Sequence, residues 1–265
     1  MVGLNEALTM CLILFCYKNH TKYDFILASN RDEFRDRPTA VLEFWEDYPS
    51  VLAGKDLVNG GTWMGITRTG RFAALTNFRS PVMIKSDSPS RGQLVKNFLI
   101  SDMSPTDYLQ SIEHHADQFS GFNLMVGDMN QLLYLSNCKK DIHKISPGIY
   151  GLSNNFLNVS WPKVDRGKHL FSKCIPDNTD PDIKQILALL SDQLYPDENL
   201  LPETGISREW EKMLSPIFID NPFYGTRSQS ILMISTTGHV SFYERTIHRD
   251  NVRKGEIRKR SFQIS

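Results

Sequence analysis

The chain has 265 residues, 40% of them hydrophobic, which is enough to bury a sizeable core. Its 30 lysines and arginines balance 30 acidic residues, so no field of one sign favours nucleic acid or an anionic membrane surface. Its four cysteines, Cys11, Cys16, Cys138 and Cys174, show neither metal-ligand spacing nor the density of a disulfide framework, and point to a reducing compartment.

The opening MVGLNEALTM lacks a basic leader region, and the longest apolar stretch, Leu12 to Phe15, is too short for a signal core or a membrane span; a cytoplasmic location is expected. Apolar runs between turn signals then predict strands at CLILFCY (11–17), YDFILAS (23–29), TWMGIT (62–67) and RFAALTNF (71–78). Helical periodicity follows at 91–100 and 105–118, and further strands at FNLMVGD (122–128), QLLYLSN (131–137) and GIYGLSN (148–154). Two more helices are predicted over 162–173 and 181–194, the latter from the spacing of Ile183, Ile186, Leu187, Leu190 and Leu194 after Pro181. The strands SILMIST (230–236) and HVSFYER (239–245) precede a basic tail, RDNVRKGEIRKRSFQ, that reads as a solvated last strand. Tight polar connections such as Thr237-Gly238 suit hairpins, so the pattern predicts antiparallel sheets covered by helices.

Three features carry chemistry. Met10-Cys11 begins the first strand, and removal of the methionine would leave a thiol beside a free α-amine. An α-amine titrates near ~8 and a thiol near ~8.5, so the amine serves as base for its own side chain; otherwise Cys11 is a small buried hydrophobe. The block Ser29-Asn30-Arg31-Asp32-Glu33 closes an apolar strand with side chains that are poor strand filler. Asp32 could orient an N-terminal ammonium while Arg31 offsets buried negative charge; the alternative is a solvated turn of ion pairs. Polar residues also end later strands, at Thr76-Asn77, Ser153-Asn154-Asn155 and Gly225-Thr226-Arg227-Ser228. Neutral amides there would donate to an oxyanion, although Asn and Ser favour turns in any case. Trp63, set in GGTWMG, is a large aromatic among glycines that permit close backbone approach, a pattern that core packing also explains.

In order along the chain, MCLILF, SNRDEFRDRP, GGTWMGITRTGRFAALTNFR, GLSNN followed by WPKV, and YGTRSQSILMI resemble the blocks of the NRDE-motif family, that of transport and Golgi organisation protein 2. The resemblance implies a branch of the N-terminal-nucleophile (Ntn) hydrolases, an α+β fold built as a four-layer αββα sandwich of two antiparallel sheets flanked by helices. It also implies roles: Cys11 as nucleophile, Asp32 on the nucleophile's amine, Asn77 and Asn154 or Asn155 as oxyanion and substrate-orienting amides, and Arg227 near a structural arginine. Asn30, Arg31, Glu33, Trp63, Thr226 and Ser228 belong to the same motif blocks. Where related acylases carry an arginine three residues before the aspartate, this chain has Ser29, and Arg31 is the candidate substitute. Residues 1–9 would block the amine of Cys11, so they are read as an extension absent from the mature protein, with 10–265 as one domain.

Two functions compete. One is a cysteine hydrolase or acyltransferase acting on a C–N amide or a thioester, with no cofactor required. The other, which the family resemblance implies, is an intracellular carrier of haem or of acyl-coenzyme A and lipid. Haem would be cargo and would need an axial His or Cys. The pair His114-His115 lies in a predicted helix and reads as surface. No metal site and no nucleic-acid partner are expected.

Overall fold

The computed structural model describes residues 10–85, 88–248 and 255–265, so the proposed extension 1–9 lies outside the described residues. The first half of the chain forms β1 (Met10–Tyr17), β2 (Tyr23–Phe34), β3 (Thr39–Phe44), β4 (Val51–Asp56), β5 (Met64–Thr67), β6 (Phe72–Asn77), α1 (Gly92–Ile100), α2 (Pro105–Glu113) and β7 (Phe122–Gly127). The rest forms β8 (Leu132–Ser136), β9 (Asp141–Lys144), β10 (Gly148–Leu152), α3 (Pro162–Cys174), α4 (Ile183–Leu189), α5 (Arg208–Met213), β11 (Tyr224–Ser235), β12 (His239–Thr246) and β13 (Ile257–Gln263). Two antiparallel sheets result, one ordered β10-β1-β2-β11-β12-β13 and the other β3-β4-β5-β6-β7-β8-β9. The expected mixed architecture of antiparallel sheets with helices is present.

The described residues divide into two compact units, one built from 37–85, 88–145 and 262–265 and the other from 10–36, 146–248 and 255–261. In the latter, even-numbered positions of β1 and β2 (Leu12, Leu14, Cys16, Ile26, Ala28) join Ile231 and Met233 of β11 against Val164 and Phe171 of α3 and Ile186 and Leu187 of α4. This is strand alternation: one face of the sheet meets the helices, and odd-numbered residues such as Cys11 and Arg31 fall on the opposite face. In the other unit, Ala73, Leu75, Leu124, Val126, Leu133 and Leu135 pack beneath Leu94, Val95, Phe98 and Leu99 of α1 and Leu109 of α2. Each fully buried Leu or Ile contributes about 1.5–3 kcal/mol.

Three departures from the sequence reading have local causes. Strand β2 does not end at Ser29 but continues through the polar block to Phe34, because β1 and β11 pair with it on both sides. Helix α4 begins after Asp182, whose carboxylate accepts from the amides of Lys184 and Gln185 at 2.9 and 3.1 Å, and it is shorter than the periodic pattern. Ser191 Oγ donates to the Leu187 carbonyl at 2.7 Å and Asp192 pairs with Arg166 at 2.6 Å, so the chain turns away and Leu194 is left 56% exposed. The unanticipated α5 is six residues long, too short to show a period, and starts at the N-cap Ser207.

In the unit that holds β4 and β5, Trp63 lies across the backbone of Gly54, and a Cβ there would sit 2.7 Å from Trp63 Cζ2. Glycine is therefore required at 54 for the indole to stay where it is. Replacing Gly54 with Ala should destabilise the protein by about 1–3 kcal/mol, and Trp63→Phe in the same chain should return much of that loss. Urea denaturation of the two single variants and the double variant checks this coupling; additive losses would refute it.

Candidate functional site

The polar block occupies an interior strand, so each of its side chains must find a partner inside the sheet or beside it. Register places Cys11 opposite Arg31 and Met10 opposite Asp32 on one side of β2, and Thr226 opposite Asp32 and Ser228 opposite Arg31 on the other. Arg227 is the extra residue of a β-bulge between the last two. The bulge changes the phase of β11, so that Thr226 shares the helix-facing side with Asp32 while Ser228 shares the opposite side with Arg31 and Cys11.

Asn30 and Asp32 face the helices. Asn30 is fully buried and its Nδ2 donates to the carbonyls of Leu190 at 2.9 Å and Ile217 at 2.7 Å, tying β2 to the end of α4 and to the segment before β11. Asp32 is 1% exposed, and its Oδ1 accepts from Thr226 Oγ1 at 2.7 Å. The same hydroxyl accepts from the Ile219 amide at 3.0 Å, which fixes its proton toward the carboxylate. Asp32 Oδ2 is buried without a hydrogen-bond partner among the described residues. Burial pushes the Asp32 carboxyl up to about 6, against the opposing pull of Lys163, Thr226, Arg35 and Arg31.

Cys11 lies on the other face, half-buried, with its carbonyl accepting from Ser153 Oγ at 3.0 Å. Burial first, and the negative charge of Asp32 second, push its thiol up to about 12, while Arg31 and the Asp32 backbone amide act in the opposite sense. With Met10 attached, the thiol is therefore neutral at physiological pH and a poor nucleophile. Arg31, 6% exposed, lies 3.5 Å from Glu33 Oε2 and is the cross-strand neighbour of Cys11. Ser29, by contrast, pairs with Ile13 and Ser230 one step further along the strand.

Among the paired asparagines after β10, Asn154 is 1% exposed and its Oδ1 lies 3.2 Å from the Ser153 hydroxyl that reaches Cys11. Asn155 is half-buried and closes a local turn, its Oδ1 accepting from the Phe156 amide at 2.7 Å. Arg227 donates from Nη1 to the Phe34 carbonyl at 2.7 Å, and Ser228 Oγ is buried without a partner among the described residues. Asn77 and Trp63 belong to the other unit, where Asn77 ends β6 opposite Phe122. His114 and His115 are exposed at the end of α2, and among the described residues no cluster of three His, Cys, Asp or Glu could hold a metal ion.

Two residues without an assigned role in the sequence reading prove central to the electrostatics. Arg35 donates to the carbonyls of Asn221 and Thr226 at 3.2 and 3.4 Å and to Asp220 at 3.1 Å. Its guanidinium lies where a Cβ on Gly225 would come within 2.7 Å, so glycine is needed there. Lys163, 4% exposed, stands in the first turn of α3, where a cation opposes the helix dipole, and donates to the Leu214 carbonyl at 3.1 Å. A lysine directly after Trp-Pro at a helix start was the signal available for it.

Residues 10–249 match the family model for transport and Golgi organisation 2. The Bos taurus transport and Golgi organization protein 2 homolog is 33% identical over 279 residues, covering 96% of this chain and 99% of that protein. The Homo sapiens homolog is 32% identical with the same coverage, and the Drosophila melanogaster protein is 26% identical over 90% of this chain and 92% of its own. Among solved structures, a Caenorhabditis elegans ortholog of N-acylethanolamine-hydrolyzing acid amidase resembles 84% of this chain and 92% of its own at 12% identity, with a TM-score of 0.48. A mutant of the conjugated bile acid hydrolase from Clostridium perfringens resembles 97% of this chain and 90% of its own at 13% identity, with a TM-score of 0.38.

Because folding raises the Asp32 pKa, the ionised carboxylate opposes folding: stability is full below about pH 4 and falls as pH rises through about 6. In the full-length chain, Asp32→Asn should therefore be more stable than the parent at neutral pH, by on the order of 2 kcal/mol, and the two should converge below about pH 4. Urea midpoints measured across that range test the sign directly; a variant less stable at neutral pH would contradict it.

Proposed function

This chain belongs to the transport and Golgi organisation 2 family, and we propose that in it Cys11 is an N-terminal nucleophile, released by removal of the residues through Met10, in a hydrolase or acyltransferase acting on a C–N amide or a thioester. One observation carries the reading. Among the described residues no donor reaches Oδ2 of the buried Asp32 carboxylate, and the residue opposite Asp32 on β1 is Met10, so the Met10–Cys11 bond runs alongside it. Breaking that bond creates an ammonium beside an unsatisfied carboxylate. The pair offsets the burial that holds Asp32 high, and it anchors the new terminus.

The chemistry follows from the two faces. The α-nitrogen of Cys11, in its neutral form, takes the thiol proton, which the raised pKa of the thiol otherwise retains. The thiolate attacks the substrate carbonyl carbon, and the guanidinium of Arg31 on the same face offsets its charge. The Asn154 amide, buried beside the Ser153 hydroxyl that reaches the Cys11 carbonyl, is the candidate donor to the oxyanion on that substrate carbonyl. The α-ammonium then protonates the departing amine or thiol as the tetrahedral centre collapses to an acyl-enzyme. Water, deprotonated by the α-amine, cleaves the thioester and returns the thiol. Asp32, fixed by Thr226, acts as a positioning residue for the amine.

A second reading, a carrier of haem or acyl-coenzyme A on the same fold, is favoured by the thiol of the uncut chain, which burial keeps protonated. Intact-mass analysis of untagged protein from its native host, followed by mild iodoacetamide labelling, separates the two. The enzyme reading expects a mass beginning at Cys11, labelling there in preference to Cys138, and loss of turnover in Cys11→Ala by at least about a hundredfold. It also expects the stability advantage of Asp32→Asn to vanish once the chain starts at Cys11. An uncut chain with an inert Cys11 would overturn it in favour of the carrier.

A further inference from the structure

The face of the sheet that carries Cys11 is polar beyond it. One row across the strands runs from Cys11 through Arg31 to Ser228, and the next runs from Ile13 through Ser29 and Ser230 to Glu244. The rows lie two residues apart along each strand, so alternation puts both on the same face. Ser29, Arg31, Ser228, Ser230 and Glu244 are all buried, which makes this a polar floor in the interior rather than a wetted surface. Its charged members are engaged: Arg31 pairs with Glu33 at 3.5 Å, and Glu244 has a partner as well.

Two observations single out Ser228. Its residue is 7% exposed and its Oγ is buried without a hydrogen-bond partner among the described residues, although an apolar side chain would fill the position at lower cost. The bulge at Arg227 is the second. In a regular strand Ser228 would follow Thr226 onto the helix side, and the register shift turns it onto the thiol's face instead. Adjacent strands lie about 4.8 Å apart, so the Cys11 and Ser228 side chains rise from points roughly 10 Å apart. Between a carbonyl carbon at the thiol and a group in hydrogen-bond reach of the hydroxyl there is room for about 7 Å, or about two residues of extended chain.

Resting on the reading of Cys11 as nucleophile, we propose that Ser228 determines specificity: its hydroxyl bonds a neutral polar group, a hydroxyl or an amide, that the substrate carries about six bonds from its reacting carbonyl carbon. The group is neutral because the charges of this floor already have partners. The substrate is thereby an amide or thioester with a hydrogen-bonding arm, and not one with plain hydrocarbon on both sides of the carbonyl.

Two pairs of amides test this with untagged protein expressed in its native host. 6-Hydroxyhexanoyl-4-nitroanilide is set against heptanoyl-4-nitroanilide, and N-(4-hydroxybutyl)acetamide against N-pentylacetamide, so that in each pair a hydroxyl replaces a methyl on the acyl or the amine side. In one of the two pairs kcat/KM should favour the hydroxylated member by about tenfold or more. Ser228→Ala should bring that ratio to about one by slowing the hydroxylated member, and Ser228→Thr should keep it. The urea midpoint of Ser228→Ala should equal or exceed the parent's, because a hydroxyl without a protein partner supports no contact in the fold. A lower midpoint, a parent ratio of about one in both pairs, or a ratio that survives Ser228→Ala, as when ordered water alone answers the hydroxyl, would each overturn the proposal. If Cys11 proves inert, calorimetric binding of 6-hydroxyhexanamide and heptanamide decides the matter apart from the nucleophile. About tenfold tighter binding of the hydroxylated amide, lost in Ser228→Ala, upholds the role of Ser228, and equal or absent binding overturns it.

Discussion

A run of polar side chains in an interior strand is the constraint on which one unit of this protein depends. Desolvating an amide or carboxylate without a partner costs about 1–3 kcal/mol or more, so β2 tolerates Asn30, Arg31, Asp32 and Glu33 only where neighbours answer them. Asn30 is answered by two backbone carbonyls, Asp32 by Thr226, and Glu33 by Arg31 and the amide of Phe34. The Asn30 contacts tie β2 to the residue that follows α4 and to the segment before β11, and the Thr226 hydroxyl joins that segment to Asp32 through the Ile219 amide. Two oxygens of the block, Asn30 Oδ1 and Asp32 Oδ2, are buried without a hydrogen-bond partner among the described residues, and of these the carboxylate oxygen carries the larger cost.

The two faces of the sheet divide the labour. Charge control sits on the helix side, where Asp32, Lys163 and Arg35 set one another's fields, while the thiol, Arg31 and the Ser228 hydroxyl share the other side. The backbone of β1, which pairs with β2 through Met10 opposite Asp32 and Cys11 opposite Arg31, runs between the two faces. With Met10 attached, burial and the negative charge of Asp32 together keep the thiol protonated.

The parts of this structure carried by local pattern were legible in the sequence. The apolar runs that became β1, β6, β7, β8 and β12 alternate or fill as strands must, and α3 is announced by Trp161-Pro162. What was hidden depends on partners far along the chain. The role of Asn30 is set by carbonyls 160 and 187 residues away, which no window of sequence can display. For the same reason the polar block looked like the end of a strand: its membership of β2 is decided by β1 and β11 together. The difference in burial between Asn154 and Asn155 was likewise hidden, and the shortness of α4 turns on a serine hydroxyl capturing a carbonyl that the periodic apolar pattern ignores.

The bulge at Arg227 has an evolutionary corollary. It shifts the register of β11 on β2 between Thr226 and Ser228, a second shift lying between Ile234 and Ser235, so the number of residues across the bulge matters as much as their identities. Losing or gaining a single residue there would swap the faces of either Thr226 or every residue beyond Ser228, turning a buried row such as Ile231 and Met233 toward the wrong side. An insertion or deletion is therefore tolerated in a connection before it is tolerated between Thr226 and Ser228.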